Sequence, residues 1–220
     1  MVGAVGKDPY AESGLTNLKS SDVSLADLEF LDGHTGLALI TVSESGENTI
    51  VVVPGANEAM DAERVDAHAV TIAESDMILL QGEIPASGFS AAIAHSTGRV
   101  VVNLAPVIEV PREDLLRADP LIANEHEAAA ILRLFGLPAQ VTPEKQVAAL
   151  RDAGFASVII TLGSHGSIVS DESGITHIPA IAVEPVETTG AGDAYVGTVA
   201  AKLLAGHSLV DAARHATRVA

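Results

Sequence analysis

The sequence contains no cysteine and has few aromatic residues. Without cysteine, the chain can form neither a disulfide nor a thiolate metal site, and it has no cysteine nucleophile. Aromatic residues make up only 3% of the chain, so valine, isoleucine, leucine and alanine must fill its core. Strands of this aliphatic composition are typical of a parallel sheet that is covered on both faces.

Basic residues are also scarce. Only 12 Lys and Arg stand against 29 Asp and Glu, which gives a formal net charge of −17. A protein that binds duplex nucleic acid needs a basic face, because phosphate contacts supply most of its affinity. We therefore expect no nucleic-acid partner. An acidic chain can still bind a nucleotide through helix N-termini, backbone N–H groups and Mg²⁺.

Long apolar runs are missing as well. The first ten residues include Lys7 and Asp8 and show no apolar segment of the kind found in signal peptides. No apolar stretch approaches the roughly 18 residues that are needed to span a bilayer. These absences predict a cytoplasmic protein with no membrane partner.

Short β-branched runs alternate with longer amphipathic segments along much of the chain. This alternation predicts an α/β fold with a doubly wound, mostly parallel sheet, in which ligands bind at the carboxyl ends of the strands. The predicted strands are residues 77–81, 100–104, 121–123 and 158–162, and the predicted helices are residues 87–96, 125–134 and 143–153. The 220 residues, 48% of them hydrophobic, are enough for one sizeable core.

One segment departs from this alternation. Residues 36–42 and 49–53 are strand-like and are joined by a polar stretch, which predicts a β-hairpin over about residues 35–54. An isolated hairpin is only marginally stable in water, so we expect it to pack on other strands, a substrate or a second subunit. No repeat or low-complexity linker is present, and we predict a single domain over residues 1–220 with this hairpin as an appendage.

The most informative motif is E-T-T-G-A-G-D at residues 187–193, followed by an apolar helical run at 194–204. Its glycines allow close approach of a ligand, and the following helix directs free N–H groups and the positive end of its dipole to the same place. Asp193 could accept a proton from an attacking hydroxyl, as phosphoryl transfer requires. Alternatively, the motif is a plain glycine-rich turn in which Asp193 begins a helix.

Three further groups of residues follow predicted strands. Asn124 and Glu127 have the spacing of a capping box at the start of a helix, which explains both by local hydrogen bonds alone. The stretch T-L-G-S-H-G at residues 161–166 is a glycine-containing turn without the Gly-Lys-Ser/Thr of a Walker A loop. Glu83, after the strand 77–81, is either a sugar-binding carboxylate or a solvated loop residue.

Taken in order, these motifs resemble those of the ribokinase-like (PfkB) family of sugar kinases, whose pattern is D-T-x-G-A-G-D. The resemblance implies that Asp193 is the catalytic base and that the backbone of Gly190, Ala191 and Gly192 holds the anion. It also implies a monovalent-cation site, for instance for K⁺, at Glu187 and Thr189. Glu187 stands where the family pattern has Asp.

The resemblance gives roles to the other motifs too. It places Asn124 near the nucleotide, and it implies that Glu127 organises Mg²⁺ and phosphates through water. It implies that the loop after residue 160 lies against ATP, with contacts from Thr161, Gly163, Ser164 and Gly166. Glu83 would contact the sugar, and the hairpin would be a lid over the sugar and a contact in a homodimer.

The implied activity is transfer of the γ-phosphoryl group of ATP to a sugar hydroxymethyl group. Ribose is the leading acceptor, with fructose or a nucleoside as alternatives. Members of the family extend further at both ends, since residues 2–8 look like the family's third strand and residues 218–220 are predicted to lie inside a helix. A catalytically incomplete fragment or a non-enzymatic oligomerising domain is therefore the alternative function.

Overall fold

The structure is a computed structural model that describes residues 1–42, 48–140, 142–183 and 189–220. The chain divides into two units. The first comprises Met1–Thr71 and Glu83–His95, and the second comprises Ile72–Gly82 and Ser96–Ala220. Whether the chain forms a single domain stays a prediction.

Strands and helices alternate through most of the described residues. The strands are β1 (Gly3–Gly6), β2 (Leu28–Leu31), β3 (Leu37–Val42), β4 (Asn48–Val53), β5 (Met77–Gln81), β6 (Arg99–Asn103), β7 (Leu121–Asn124), β8 (Val158–Thr161), β9 (Ser167–Asp171) and β10 (Gly174–Ile178). The helices are α1 (Pro9–Ser20), α2 (Ala62–Asp66), α3 (Ala69–Ala73), α4 (Ala86–His95), α5 (Arg112–Leu115), α6 (Glu125–Leu134), α7 (Pro143–Asp152), α8 (Ala191–Leu204) and α9 (Leu209–Ala216).

The second unit is built on a six-stranded sheet in the order β10-β9-β8-β7-β6-β5. Strands β5 to β8 are parallel, and β9 and β10 are antiparallel additions. Val101, Ile122 and Ile159 lie in one buried cluster with residues of α8 and α9. Helices α6 and α7 also lie against β7 and β8, whose alternate residues Leu121, Ala123, Val158 and Ile160 are buried too. With helices on both faces, the predicted doubly wound, mostly parallel sheet is confirmed.

Local signals explain several helix ends. The Thr142 side chain caps α7, Pro143 is its first residue, and Gly154 follows its end with a φ of +115°. Two predicted helix boundaries were wrong by more than one residue. Helix α8 begins at Ala191 and not at residue 194, so that Asp193 lies inside its first turn. Residues 218–220 lie beyond α9 and not within a helix.

The first unit contains the predicted hairpin. Strands β3 and β4 are antiparallel, with Leu37 opposite Val53 at the base and Val42 opposite Asn48 at the last described pair. The connecting residues 43–47 lie outside the described part of the chain. In the same unit, β1 and β2 form a separate parallel pair, which the sequence did not predict as a pair.

Asp8 joins the base of the hairpin to the start of α1. Its carboxylate accepts hydrogen bonds from the backbone N–H of Ala11, at 3.1 Å, and from the N–H and hydroxyl of Thr35, both at 2.8 Å. The Thr35 hydroxyl oxygen in turn accepts a hydrogen bond from the N–H of Gly6 at 3.0 Å. The Thr35 N–H is the main cause that holds the pKa of Asp8 below its ordinary value.

Candidate active site

The N-terminus of α8 is exposed, with a carboxylate in its first turn. Gly190 precedes the helix with φ +80° and ψ 0°, in the left-handed region that favours glycine. A methyl group on Gly192 would meet no atom of the described residues within 4 Å. Asp193, the third residue of α8, is exposed. The first N–H groups of a helix have no partner within it, so they are available to an anion here.

Helix α8 is held firmly just behind Asp193. Tyr195, Val196 and Val199 are buried against the sheet. The Tyr195 hydroxyl donates a hydrogen bond to the Ser167 hydroxyl at 2.9 Å. Burial raises the pKa of the Tyr195 phenol, so it remains a neutral donor at physiological pH. These contacts fix the position of the first turn of α8.

One side chain from the sheet reaches Asp193. The Nε2 of Gln81, the last residue of β5, donates a hydrogen bond to Asp193 Oδ1 at 3.1 Å. This contact places the start of α8 at the carboxyl end of the parallel strands, where the fold predicts a ligand site. Gln81 was not among the site residues predicted from the sequence. A polar residue that ends an apolar strand just before Gly82 was the available signal.

Asn124 and Glu127 form the predicted capping box at the start of α6. Asn124 Oδ1 accepts hydrogen bonds from the N–H groups of His126 and Glu127, both at 2.9 Å. Glu127 Oε2 accepts one from the N–H of Asn124 at 2.8 Å. Burial raises the pKa of Glu127 above its ordinary value, although this last hydrogen bond opposes the rise. The helix start therefore holds a half-buried carboxylate.

The turn after β8 has an exposed part and a buried part. Gly163 and Ser164 are exposed and open a short 3₁₀ turn. Gly166 is buried with a φ of +93°, and a Cβ there would lie 2.0 Å from the carbonyl oxygen of Ile178. Packing alone thus accounts for this glycine. Thr161, the last residue of β8, is half-buried.

The strand register brings several candidates to one edge of the sheet. Asn124 of β7 is the cross-strand partner of Thr161 of β8. Gln81 of β5 is the cross-strand partner of Asn103 of β6. Asp193 joins this edge through Gln81. Asn103 is buried, and its side-chain amide donates to the carbonyl oxygen of Ile122 at 3.1 Å, so its side chain has a structural partner.

The remaining candidates have no described contact with these residues. Glu83 is exposed and belongs to the first unit. Thr189 is exposed just before α8, and Glu187 lies outside the described residues. Within the described ranges, no cluster of three or more His, Asp or Glu side chains could hold a metal ion. No described helix is both long and apolar enough to cross a membrane.

Comparison with known proteins identifies the family. The family model for pfkB family carbohydrate kinases matches residues 1–220. The chain belongs to this family. Kinases of the pfkB family are phosphotransferases that use ATP with Mg²⁺ and a sugar as the acceptor. The predicted family and the predicted enzyme class are therefore confirmed.

Individual relatives in the pfkB family are about one third identical to the chain over the aligned residues. It is 33% identical to the ribokinase of Schizosaccharomyces pombe, with 99% of the chain and 71% of the relative covered. Among solved structures, the ribokinase of Thermotoga maritima matches with a TM-score of 0.88 and 30% identity, and 98% of the chain covers 71% of it.

A second solved structure carries ligands. The Arabidopsis thaliana ribokinase in complex with ribose and ATP matches with a TM-score of 0.85 and 28% identity, with 98% of the chain and 72% of that protein covered. Both structural matches support the ribokinase-like α/β fold.

Proposed function

We propose that the chain is an ATP-dependent kinase that phosphorylates the hydroxymethyl group of ribose. The observation that carries the proposal is the exposed carboxylate of Asp193 in the first turn of α8, directly after the open backbone of Gly190 and Gly192. Relatives named as ribokinases, 33% and 34% identical to the chain, support ribose as the acceptor.

In this proposal, Asp193 acts as the general base. It accepts the proton of the sugar hydroxymethyl group as that oxygen attacks the γ-phosphorus of ATP, and the bond from phosphorus to the β,γ-bridging oxygen breaks to release ADP. The backbone N–H groups around Gly190, Ala191 and Gly192 stabilise the negative charge on the transferred group. The helix dipole acts in the same direction.

The nucleotide site in this proposal lies along the ends of β7 and β8. Asn124, Thr161, Gly163, Ser164 and Gly166 are its candidate residues. Asn124 and Thr161 are cross-strand partners, and Gly163 and Ser164 are exposed beside them in sequence, which supports this assignment.

Glu127 is the candidate that organises Mg²⁺ through water. One of its carboxylate oxygens caps α6, which leaves the other oxygen to bind a metal-bound water. A nearby divalent cation would offset the cost of the half-buried charge that raises the pKa of this group. The monovalent cation, K⁺ in this proposal, would bind at Thr189 and Glu187.

Two further candidates of this proposal lie in the first unit. Glu83 is the candidate sugar-binding carboxylate, and the hairpin of β3 and β4 is the lid. A lid that closes over the sugar excludes water, which would otherwise compete as the phosphoryl acceptor.

The proposal predicts that Asp193→Asn lowers kcat by about 10²- to 10⁴-fold, the usual contribution of a general base. The asparagine keeps the size and polarity of the side chain but cannot accept the proton. The affinity for ATP should stay within about twofold, because the N–H groups of α8 are unchanged. ADP release in the presence of ribose, Mg²⁺ and K⁺ measures the first quantity, and calorimetric titration with ATP measures the second.

A matched control is Asp211→Asn, at an exposed carboxylate on α9, which should keep the wild-type rate. Wild-type kcat in Asp193→Asn would refute the assignment of the base. Activity with fructose or a nucleoside but not with ribose would change the acceptor. A folded chain that releases no ADP with any of them would favour the incomplete, non-enzymatic form.

The hairpin supports a second function, as a contact between two copies of the chain. Its described side chains include Leu39, Val51, Val52 and Val53, all exposed. Apolar side chains exposed on one small sheet are typical of a surface that another protein covers. A homodimer through the hairpin is therefore part of the proposal.

A further inference from the structure

Gln81 has a rigid backbone position at the end of β5. Its strand register pairs it with Asn103 of β6. The next residue, Gly82, is fixed as well, because its N–H donates to the carbonyl oxygen of Ala105 at 3.2 Å. A Cβ at Gly82 would lie 1.8 Å from the carbonyl oxygen of Pro106, so only glycine permits this close approach. The side chain of Gln81 therefore starts from a fixed point.

The partner of Gln81 is equally well fixed. The first turn of α8 is held by the burial of Tyr195 and Val196, and the hydrogen bond from Gln81 Nε2 to Asp193 Oδ1 joins residues 112 positions apart in sequence. Within the described part of the chain, no other side chain is seen to donate to Asp193. One carboxylate oxygen is held, and the other is available to a substrate.

The chemistry of an amide suits this position. A lysine or arginine would make a charge-assisted bond, roughly twice as strong as a neutral one, and would compete with a substrate hydroxyl for the carboxylate. The Gln81 amide is neutral and directional, so it can orient Asp193 without neutralising it. Its second N–H and its carbonyl oxygen remain available for other partners.

We propose that Gln81 is a positioning residue, which holds Oδ1 of Asp193 so that Oδ2 faces the sugar hydroxyl. This inference rests on the proposed role of Asp193 as the base. Small errors in the placement of a catalytic group are costly in rate, because the reacting atoms must be held within a few tenths of an ångström.

Gln81→Met tests the inference by kinetics, since methionine has nearly the same length but cannot donate. We expect kcat with ribose to fall about tenfold, while the dissociation constant of ATP and the KM of ribose change by less than about twofold. In an Asp193→Ala background, the same change should cause no further loss. Equal losses in both backgrounds would mean a merely structural role and would overturn the inference. Gln140→Met, at an amide that donates to the carbonyl oxygen of Pro138, should keep full activity.

A second measurement does not depend on activity. The side-chain amide protons of Gln81, assigned by their absence from the NMR spectrum of Gln81→Met, should shift clearly in Asp193→Ala and stay in place in Gln140→Met. An unmoved resonance would overturn the inference whatever the kinetics show. If the wild-type chain releases no ADP with any sugar, the proposed function fails, and the amide resonance still decides whether Gln81 holds Asp193.

Discussion

The carboxylate of Glu127 caps a helix and is also half-buried. One oxygen caps α6 through the N–H of Asn124, and the group is buried enough that its pKa is raised above the ordinary value of 4.5. A raised pKa in an acid means that the folded state disfavours the ionised form. At neutral pH this residue therefore makes folding less favourable, which is the expected pattern for a residue retained for function.

We predict that Glu127→Gln raises the melting temperature at neutral pH and lowers kcat by about 10- to 100-fold through weaker organisation of Mg²⁺. The amide oxygen can still accept the Asn124 N–H, without a buried charge. The stability contributed by the carboxyl group is complete below pH 4.5 and is lost as the pH rises through its folded-state pKa. The rise in melting temperature caused by Glu127→Gln should therefore grow as the pH increases from 4.5 through the folded-state pKa of Glu127. Thermal unfolding at a series of pH values would measure it.

Glu144→Gln is the control of opposite sign. Its own backbone N–H and the Thr142 hydroxyl lower the pKa of Glu144, so its ionised form stabilises the fold above pH 4.5. Glutamine at 144 should lower the melting temperature at neutral pH and lose this effect in acid. The same sign of change in both variants would contradict the explanation for Glu127.

At the scale of elements, the turn between β8 and β9 requires glycine at position 166. Its backbone has a φ of +93°, and a Cβ would overlap the Ile178 carbonyl oxygen and approach the Ala180 nitrogen to 2.6 Å. Neither contact can relax by rotation of a side chain. The turn is therefore closed against the segment that follows β10.

We predict that Gly166→Ala lowers the free energy of unfolding by at least about 3 kcal/mol, because steric overlap adds to the cost of a left-handed backbone. Gly206→Ala is matched, since Gly206 has a φ of +82° with no described atom within 4 Å of a Cβ. It should cost about 1 to 2 kcal/mol. Urea unfolding compares the two, and equal losses would rule out the overlap as the cause.

The elements differ in how far the sequence predicted them. Strand β5 and helices α6 and α7 were predicted because their signals are local: an apolar run, a capping box at Asn124, and Gly154 after the end of α7. Strands β2 and β10 are short and half-exposed, so their strand state depends on pairing with β1 and β9, which no local pattern encodes.

The site shows the same limit. The motif at residues 187–193 predicted a helix start with a carboxylate because all of its parts are adjacent in sequence. The contact between Gln81 and Asp193 depends on how the sheet and α8 pack, and it joins residues 112 positions apart. Sequence patterns carry little information about such a pair.

For the whole molecule, charge and exposed apolar surface oppose each other. A net charge of −17 makes two copies repel, most strongly at low ionic strength. Leu39 and Val51 are cross-strand partners on the hairpin, exposed to 58% and 55%, and they favour association. A dimer through the hairpin should therefore become tighter as salt is added.

The proposed homodimer predicts that the wild-type chain is dimeric and that Leu39→Thr combined with Val51→Thr makes it monomeric, because threonine keeps a strand conformation but removes apolar contact area. Light scattering after size-exclusion chromatography, at low and high salt, measures the mass. Ile175→Thr on β10, at a residue that is 49% exposed, is the control and should leave the mass unchanged. A double variant with the wild-type mass would place the contact elsewhere.

Asp8 makes two segments of the first unit sensitive to the same protonation. Its carboxylate accepts hydrogen bonds from the backbone N–H of Ala11, in the first turn of α1, and from the backbone N–H of Thr35, at the base of the hairpin. Its lowered pKa means that these bonds persist below the ordinary value of 3.8 and are lost only as the pH falls through the folded-state value. One proton taken up there weakens the hydrogen bonds from both amides, so the two segments lose this shared acceptor over the same range of pH.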